Sequence, residues 1–147
     1  MTHPRGGIRQ FIPGRGDYQP DPALSLIEPG DAACRALIAG GTDDPLLLHL
    51  VTQLDRALAV DIAVAFVFPG GVALLKPHLK EILDQGGRVR VPTGDYLGAS
   101  DPDALERLTD LHGQVDLRVY ETGVNGSFHL EAYLAYHGPD TGTAFVG

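Results

Sequence analysis

Ser127-Phe128-His129-Leu130-Glu131-Ala132-Tyr133-Leu134, followed by Ala144-Phe145-Val146-Gly147, is the part of this chain on which the reading of its fold turns. Taken as a strand, the first stretch alternates between two faces. Phe128, Leu130, Ala132 and Leu134 make one apolar row, and His129, Glu131 and Tyr133 share the other face. A histidine and a carboxylate two residues apart therefore point into the same space. His137 falls on that face too, but near the strand end, and a carboxylate–imidazole metal centre needs a third ligand. No metal site is expected.

Outward from this stretch, the bulk properties narrow the class. The 147 residues are enough for one domain with a real core. Cys34 is the single cysteine, which excludes an internal disulfide and cysteine-cluster metal sites. No apolar run has the length to span a bilayer, and Met1-Thr2-His3-Pro4-Arg5 lacks the apolar core of a signal peptide. The expected location is cytoplasmic, without a membrane partner. The net charge of −8 argues against broad, non-specific binding of nucleic acid, though a local cleft remains open to it.

The expected boundary falls near residue 42. Residues 1–41 hold Pro4, Pro13, Pro20, Pro22 and Pro29 with many glycines, and read as an irregular extension. Within it, Asp31 to Ile38 has the pattern of a short helix stopped by Gly40-Gly41. Residues 42–147 read as the folded domain. Asp44-Pro45 opens a helix to about Ala59, with Leu47, Leu50, Val51, Leu54, Ala57 and Leu58 at helical spacing. Ala59 to Phe68 is a nearly continuous apolar run broken only by Asp61, as expected of a strand buried on both faces. Pro69-Gly70-Gly71 leads into a second helix carrying Leu74, Leu75, Leu79, Ile82 and Leu83. Arg88 to Val91 is a short strand ended by Pro92, Ser100-Asp101-Pro102 caps a third helix, and Val115 to Tyr120 alternates as a third strand. Two more strands follow, about Phe128–Tyr136 and Thr143–Val146. The order β-α-β-α-β-β-β predicts an α/β sandwich with a mixed, mostly parallel sheet, helices on both faces and a terminal antiparallel hairpin.

From about Leu46 onward the chain resembles the phospholipase D-like superfamily, in particular the single-motif domains of bacterial nucleases and of DNA helicase- and restriction-type proteins. The matching blocks are Ala63-Val64-Ala65-Phe66-Val67, Gly86-Gly87-Arg88-Val89-Arg90-Val91, Thr93-Gly94-Asp95-Tyr96-Leu97, Asp101-Pro102-Asp103-Ala104-Leu105, Phe128-His129 with Ala132-Tyr133-Leu134, and Ala144-Phe145-Val146-Gly147. Their order is more specific than any one block. The family signature is His-x-Lys on a strand, then a further strand ending in Gly-Ser with an Asn shortly after. The resemblance implies a cofactor-independent hydrolase in which His129 stands at the position of the nucleophile that forms a phosphohistidine. Gly147 stands at the motif glycine of the phosphate-binding segment. A second copy of the motif comes, in that family, from a duplicated domain or a dimer mate; with one motif in this chain, a homodimer is expected. The sequence given stops before the Ser and Asn positions, and the domain is read as incomplete there.

Glu131 stands where the family has lysine. A lysine two residues after the histidine neutralises charge on the phosphate oxygens, and losing one such donor costs about 3–4 kcal/mol. A carboxylate in its place repels the phosphodiester. The expectation is a nuclease-type phosphodiesterase domain that is catalytically impaired. The alternative is a non-catalytic module of the same fold, used for dimerisation or for docking nucleic acid within a larger helicase- or restriction-type protein. Arg88 and Arg90 share one strand face and are candidates to line a phosphate-binding edge.

Overall fold

The computed structural model describes residues 9–11, 36–95, 98–111, 115–121 and 128–147. Its elements run β1 (Arg9–Phe11), α1 (Leu46–Leu54), β2 (Ala59–Val64), α2 (Pro69–Asp84), β3 (Arg88–Gly94), α3 (Pro102–Thr109), β4 (Val115–Tyr120), β5 (Glu131–Gly138) and β6 (Thr141–Val146). The strands form one six-stranded sheet in the order β1-β4-β3-β2-β5-β6. β1 with β4, β4 with β3 and β3 with β2 pair in parallel. β5 pairs antiparallel with both β2 and β6. Only β5 therefore runs against the rest, and the expected α/β class with a mixed, mostly parallel sheet is what the chain adopts.

Alternation along the strands sorts the faces. Val60 and Ile62 of β2, Val89 and Val91 of β3, Leu117 of β4 and Ala135 of β5 join one buried cluster with Leu50 and Leu54 of α1, Val72, Leu79, Ile82 and Leu83 of α2, and Ala104 and Leu108 of α3. α1 packs on α2 and α2 on α3, so these helices lie side by side on one face. The second helical layer expected from the sequence has no counterpart among the described residues. The stretch Asp31 to Ile38, read as a helix, lies outside them up to residue 35, and residues 36–38 are not helical.

The opposite face of the sheet carries a cluster of charged and polar side chains. Asp61, only 8% exposed, accepts a two-pronged hydrogen bond from Arg90, through Nε at 2.6 Å and through the terminal guanidinium nitrogen. Arg88 approaches the same carboxylate at 3.6 Å and lies over the Tyr136 ring, 5.9 Å from its centroid. Tyr136 donates its hydroxyl to Asp61 at 2.9 Å. Next along the sheet, Arg118 and Asp116 of β4 pair at 2.8 Å. A charge within an apolar strand is tolerated because these partners replace its water.

Several boundaries differ from the sequence reading, each for a local reason. The 1–41 stretch contributes the edge strand β1 beside β4. α1 stops at Leu54 because the Leu58 amide joins the sheet, donating to Tyr136 at 2.7 Å. Asp44 does not cap α1; it accepts from the Ala39 amide at 2.8 Å and pairs with His49 at 2.5 Å. β3 continues through Pro92 to Gly94, and the β2–β3 ladder lacks two pairings, at Val91 and at Pro92, which has no N–H to give. Leu74 is exposed, and Val72 takes its place on the buried stripe of α2.

Two helix ends follow their sequence signals closely. α2 closes in a Schellman motif, the Gly87 amide reaching Ile82 O at 2.8 Å and the Gly86 amide reaching Leu83 O at 2.9 Å, with Gly86 at φ +80°. The Asp101 carboxylate caps α3 by accepting from the Ala104 amide at 3.0 Å, with Pro102 in the first turn.

Candidate functional site

The carboxyl ends of β2, β3 and β4 lie along one edge of the sheet, and that edge is where open parallel sheets place ligands. β5 enters the sheet at the same edge, because Glu131 registers with Val64 and Ala132 with Val146. β6 ends there as well, and the Gly147 amide donates to the Glu131 carbonyl at 3.1 Å. The result is a cleft of about 390 Å³ lined by Val64, Ala65, Phe66, Phe68, His129, Leu130, Glu131, Tyr133 and Gly147.

The cleft thus brings together three of the sequence-derived candidates, His129, Glu131 and Gly147. Strand alternation explains part of this placement. Glu131 and Tyr133 register with Val64 and Ile62, so both project to the helix-covered face. His129 reaches the same space differently, since residues 128–130 precede β5 and are not in the ladder. Phe128 holds that approach segment against the sheet. Its Cβ lies 3.1 Å from where a Cβ on Gly94 would stand, and its ring is 6.3 Å from that of Tyr120. The expected apolar row of Phe128, Leu130, Ala132 and Leu134 is therefore broken, with Leu130 47% exposed at the cleft.

The Glu131 carboxylate lies beside Gly147, with Oε2 3.7 Å from the position of a Cβ there. Burial, and next the charge of Glu131, push the Tyr133 phenol above its ordinary pKa. No Lys or Arg is among the described residues lining the cleft. Glu131 and His129 are the acidic and imidazole groups among those lining residues.

Arg88 and Arg90 are not brought to this site. They register with Ala59 and Asp61 near the start of β2, on the face away from the helices, while Glu131 sits at the other end on the opposite face. At the β2 start Arg90 pairs with Asp61 and Arg88 approaches the same carboxylate at 3.6 Å, so neither lines the cleft. Arg90 is held even more firmly in its charged form by its hydrogen bonds to Asp61. His137, near the far end of β5, meets Gln53 Oε1 at 3.1 Å and the Arg56 carbonyl at 3.3 Å.

Other contributors carry weaker signals in the sequence. Phe66 and Phe68, two positions apart at the end of the apolar run, form one wall with ring centroids 6.3 Å apart. Buried Ser100 positions that wall. Its hydroxyl donates to Gly94 O at 2.9 Å and accepts from the Val67 amide at 3.2 Å, tying the β2–α2 connection to the end of β3. Behind the wall lies a smaller apolar cavity of about 90 Å³ that shares Val64, Phe66, Phe68 and Tyr133 with the cleft.

No protein-family model and no curated protein matches the chain. Among solved structures it is similar to NucT from Helicobacter pylori, with 14% identity and a TM-score of 0.43 over 60% of this chain and 58% of that one. It is also similar to polyphosphate kinase from Porphyromonas gingivalis, with 15% identity and a TM-score of 0.45 over 67% of this chain and 16% of the kinase. The chain therefore spans less than two thirds of either protein.

Proposed function

We propose that this chain is a phospholipase D-like phosphodiesterase domain of nuclease type in which the pocket persists and phosphodiester turnover does not. The observation that carries this reading is the cleft itself, where His129, Glu131 and Gly147 converge without a lysine or arginine among the described lining residues. In the resembled family those positions hold the nucleophile, the charge-neutralising lysine and the motif glycine. Phosphoryl transfer depends on cations placed where negative charge gathers. A carboxylate at that point opposes both binding of the diester and the build-up of charge in the transition state.

Hydrolysis of bis(p-nitrophenyl) phosphate and of single-stranded DNA tests this directly. The expected rates for the chain and for His129→Ala are equal and at background. Hydrolysis by the chain that disappears in His129→Ala would overturn the proposal.

A second reading, as a dimerisation module, draws on β6. Among the described residues this is an edge strand, Thr141–Val146; it carries no charged residue and no proline, and Val146 is 73% exposed. Unprotected edges of this kind pair readily with another strand. Light scattering at high protein concentration reads the outcome: a dimer weakened by Val146→Lys supports this reading, and a strictly monomeric mass removes it. Docking of nucleic acid on the open face draws less support, because Arg88, Arg90 and Arg118 are each engaged with Asp61 or Asp116.

A further inference from the structure

The cleft has a recognition chemistry of its own, independent of any phosphodiesterase ancestry. Its volume of about 390 Å³ falls within the roughly 300–1,000 Å³ of small-molecule sites. Glu131 is exposed and contributes the carboxylate charge, while Phe66, Phe68 and Tyr133 supply aromatic surface. Phe68 is 55% exposed and Leu130 47%, so an apolar rim stands open at the mouth. The adjoining apolar cavity adds about 90 Å³ behind the shared residues Phe66, Phe68 and Tyr133.

From this combination we infer that the cleft is a binding site for an organic ammonium ion carrying an apolar group. The positive head lies against the Glu131 carboxylate and the faces of the aromatic wall, and the apolar group fills the hollow behind it. Aromatic faces attract cations through their quadrupole, and the attraction grows where water is excluded. A carboxylate at the rim sets the sign of the preferred charge. An anion meets the Glu131 carboxylate instead, with the His129 imidazole and no Lys or Arg to offset it among the described lining residues. Tyr133, whose phenol is kept neutral by burial and by Glu131, adds an uncharged aromatic surface beside the carboxylate.

Benzylamine, benzyl alcohol and benzyl phosphate share one ring and differ only in the charge of the head group. Each is titrated into the whole chain and followed by amide chemical shifts. Benzylammonium is expected to bind about tenfold tighter than the alcohol at low salt, with shifts at Phe66, Phe68, Leu130 and Tyr133, and the phosphate weakest. Glu131→Gln should bring the amine to within about twofold of the alcohol, its folding checked by thermal melting. Phe68→Leu keeps the apolar rim but removes a π face, so it should weaken the amine about threefold and leave the alcohol unchanged. The inference is overturned if benzyl phosphate binds as tightly as the amine, if the amine produces no shifts in the cleft, or if neither variant alters its preference over the alcohol. Hydrolysis is a separate assay, so a chain that is catalytically silent and does not bind benzylammonium overturns this inference alone.

Discussion

Tyr136 donates its phenolic hydrogen to Oδ2 of Asp61 at 2.9 Å, joining residues 75 positions apart across the β2–β5 ladder. The same carboxylate receives Arg90, so one buried acid links three adjacent strands on the face that the described helices leave uncovered. This cluster lies on the sheet face opposite the described helices. Its loss is expected to cost stability and leave the cleft in place.

Asp61→Asn should destabilise the chain by about 1–3 kcal/mol, less than for a fully buried pair because Arg90 remains 41% exposed. Urea unfolding of the single variants and of Asp61→Asn combined with Arg90→Met measures the coupling. The double variant is expected to lose less than the sum of the two singles.

Acid should weaken the fold through the same residue. Burial alone pushes the Asp61 carboxyl up, but hydrogen bonds from Arg90 and Tyr136 and the charges of Arg90 and Arg88 outweigh it and hold the pKa below the ordinary value. The stabilisation is therefore complete above the unfolded-state value of about pH 4 and is lost as pH falls through the lower folded value. Denaturation midpoints between pH 6 and 3, each taken at constant salt, should fall less steeply in Asp61→Asn than in the parent. Parallel slopes would show that Asp61 does not carry this term.

The α2 terminus separates two kinds of glycine requirement. Gly86→Ala meets open space but must hold φ +80°, which costs about 1 kcal/mol. Gly87→Ala would drive its Cβ onto the Leu58 carbonyl and to 2.7 Å from Ile82 Cγ2, so the larger loss, about 1–3 kcal/mol, is expected there. Thermal melts of the two variants should rank in that order.

Thr93 is fully buried, and its hydroxyl has no hydrogen-bond partner among the described residues. Thr93→Val is therefore expected to leave stability unchanged or to raise it by about 1 kcal/mol, as chemical unfolding would show. A loss beyond about 1 kcal/mol would mean that the hydroxyl is satisfied in solution.

Tyr133 reports on the charge in the cleft. Its phenol is expected to titrate above the ordinary tyrosine value, through burial first and Glu131 second. Glu131→Gln should lower that value part of the way, followed by residue-specific NMR titration. No change would place the Glu131 carboxylate outside the cleft.

Much of the fold was legible because local signals agreed with one another. The apolar run of β2, the Asp101-Pro102 start of α3 and the Gly86-Gly87 stop of α2 each left a mark in a few adjacent residues. Proline normally ends a strand, whereas Pro92 falls in a two-pairing gap of the β2–β3 ladder and β3 continues past it. The Asp61 cluster is not legible from local sequence. A lone acid in an apolar strand and two arginines sharing a face on the next strand are complementary, but pairing needs the parallel register Asp61 with Arg90. At the site, alternation was enough to put Glu131 and Tyr133 on one face. The aromatic wall was not legible, because Phe66 and Phe68 fall beyond the strand and depend on the Ser100 bridge for their placement.

On the function proposed above, the cleft keeps the form of a phosphodiester site and Glu131 disfavours anions in it. Dimethyl phosphate is titrated into the chain and into Glu131→Lys, with folding verified in both. No measurable binding is expected for the chain, and measurable binding with shifts at His129 and Gly147 is expected for the variant. Equal affinity in the two proteins, or binding that the parent chain already shows, would contradict that reading.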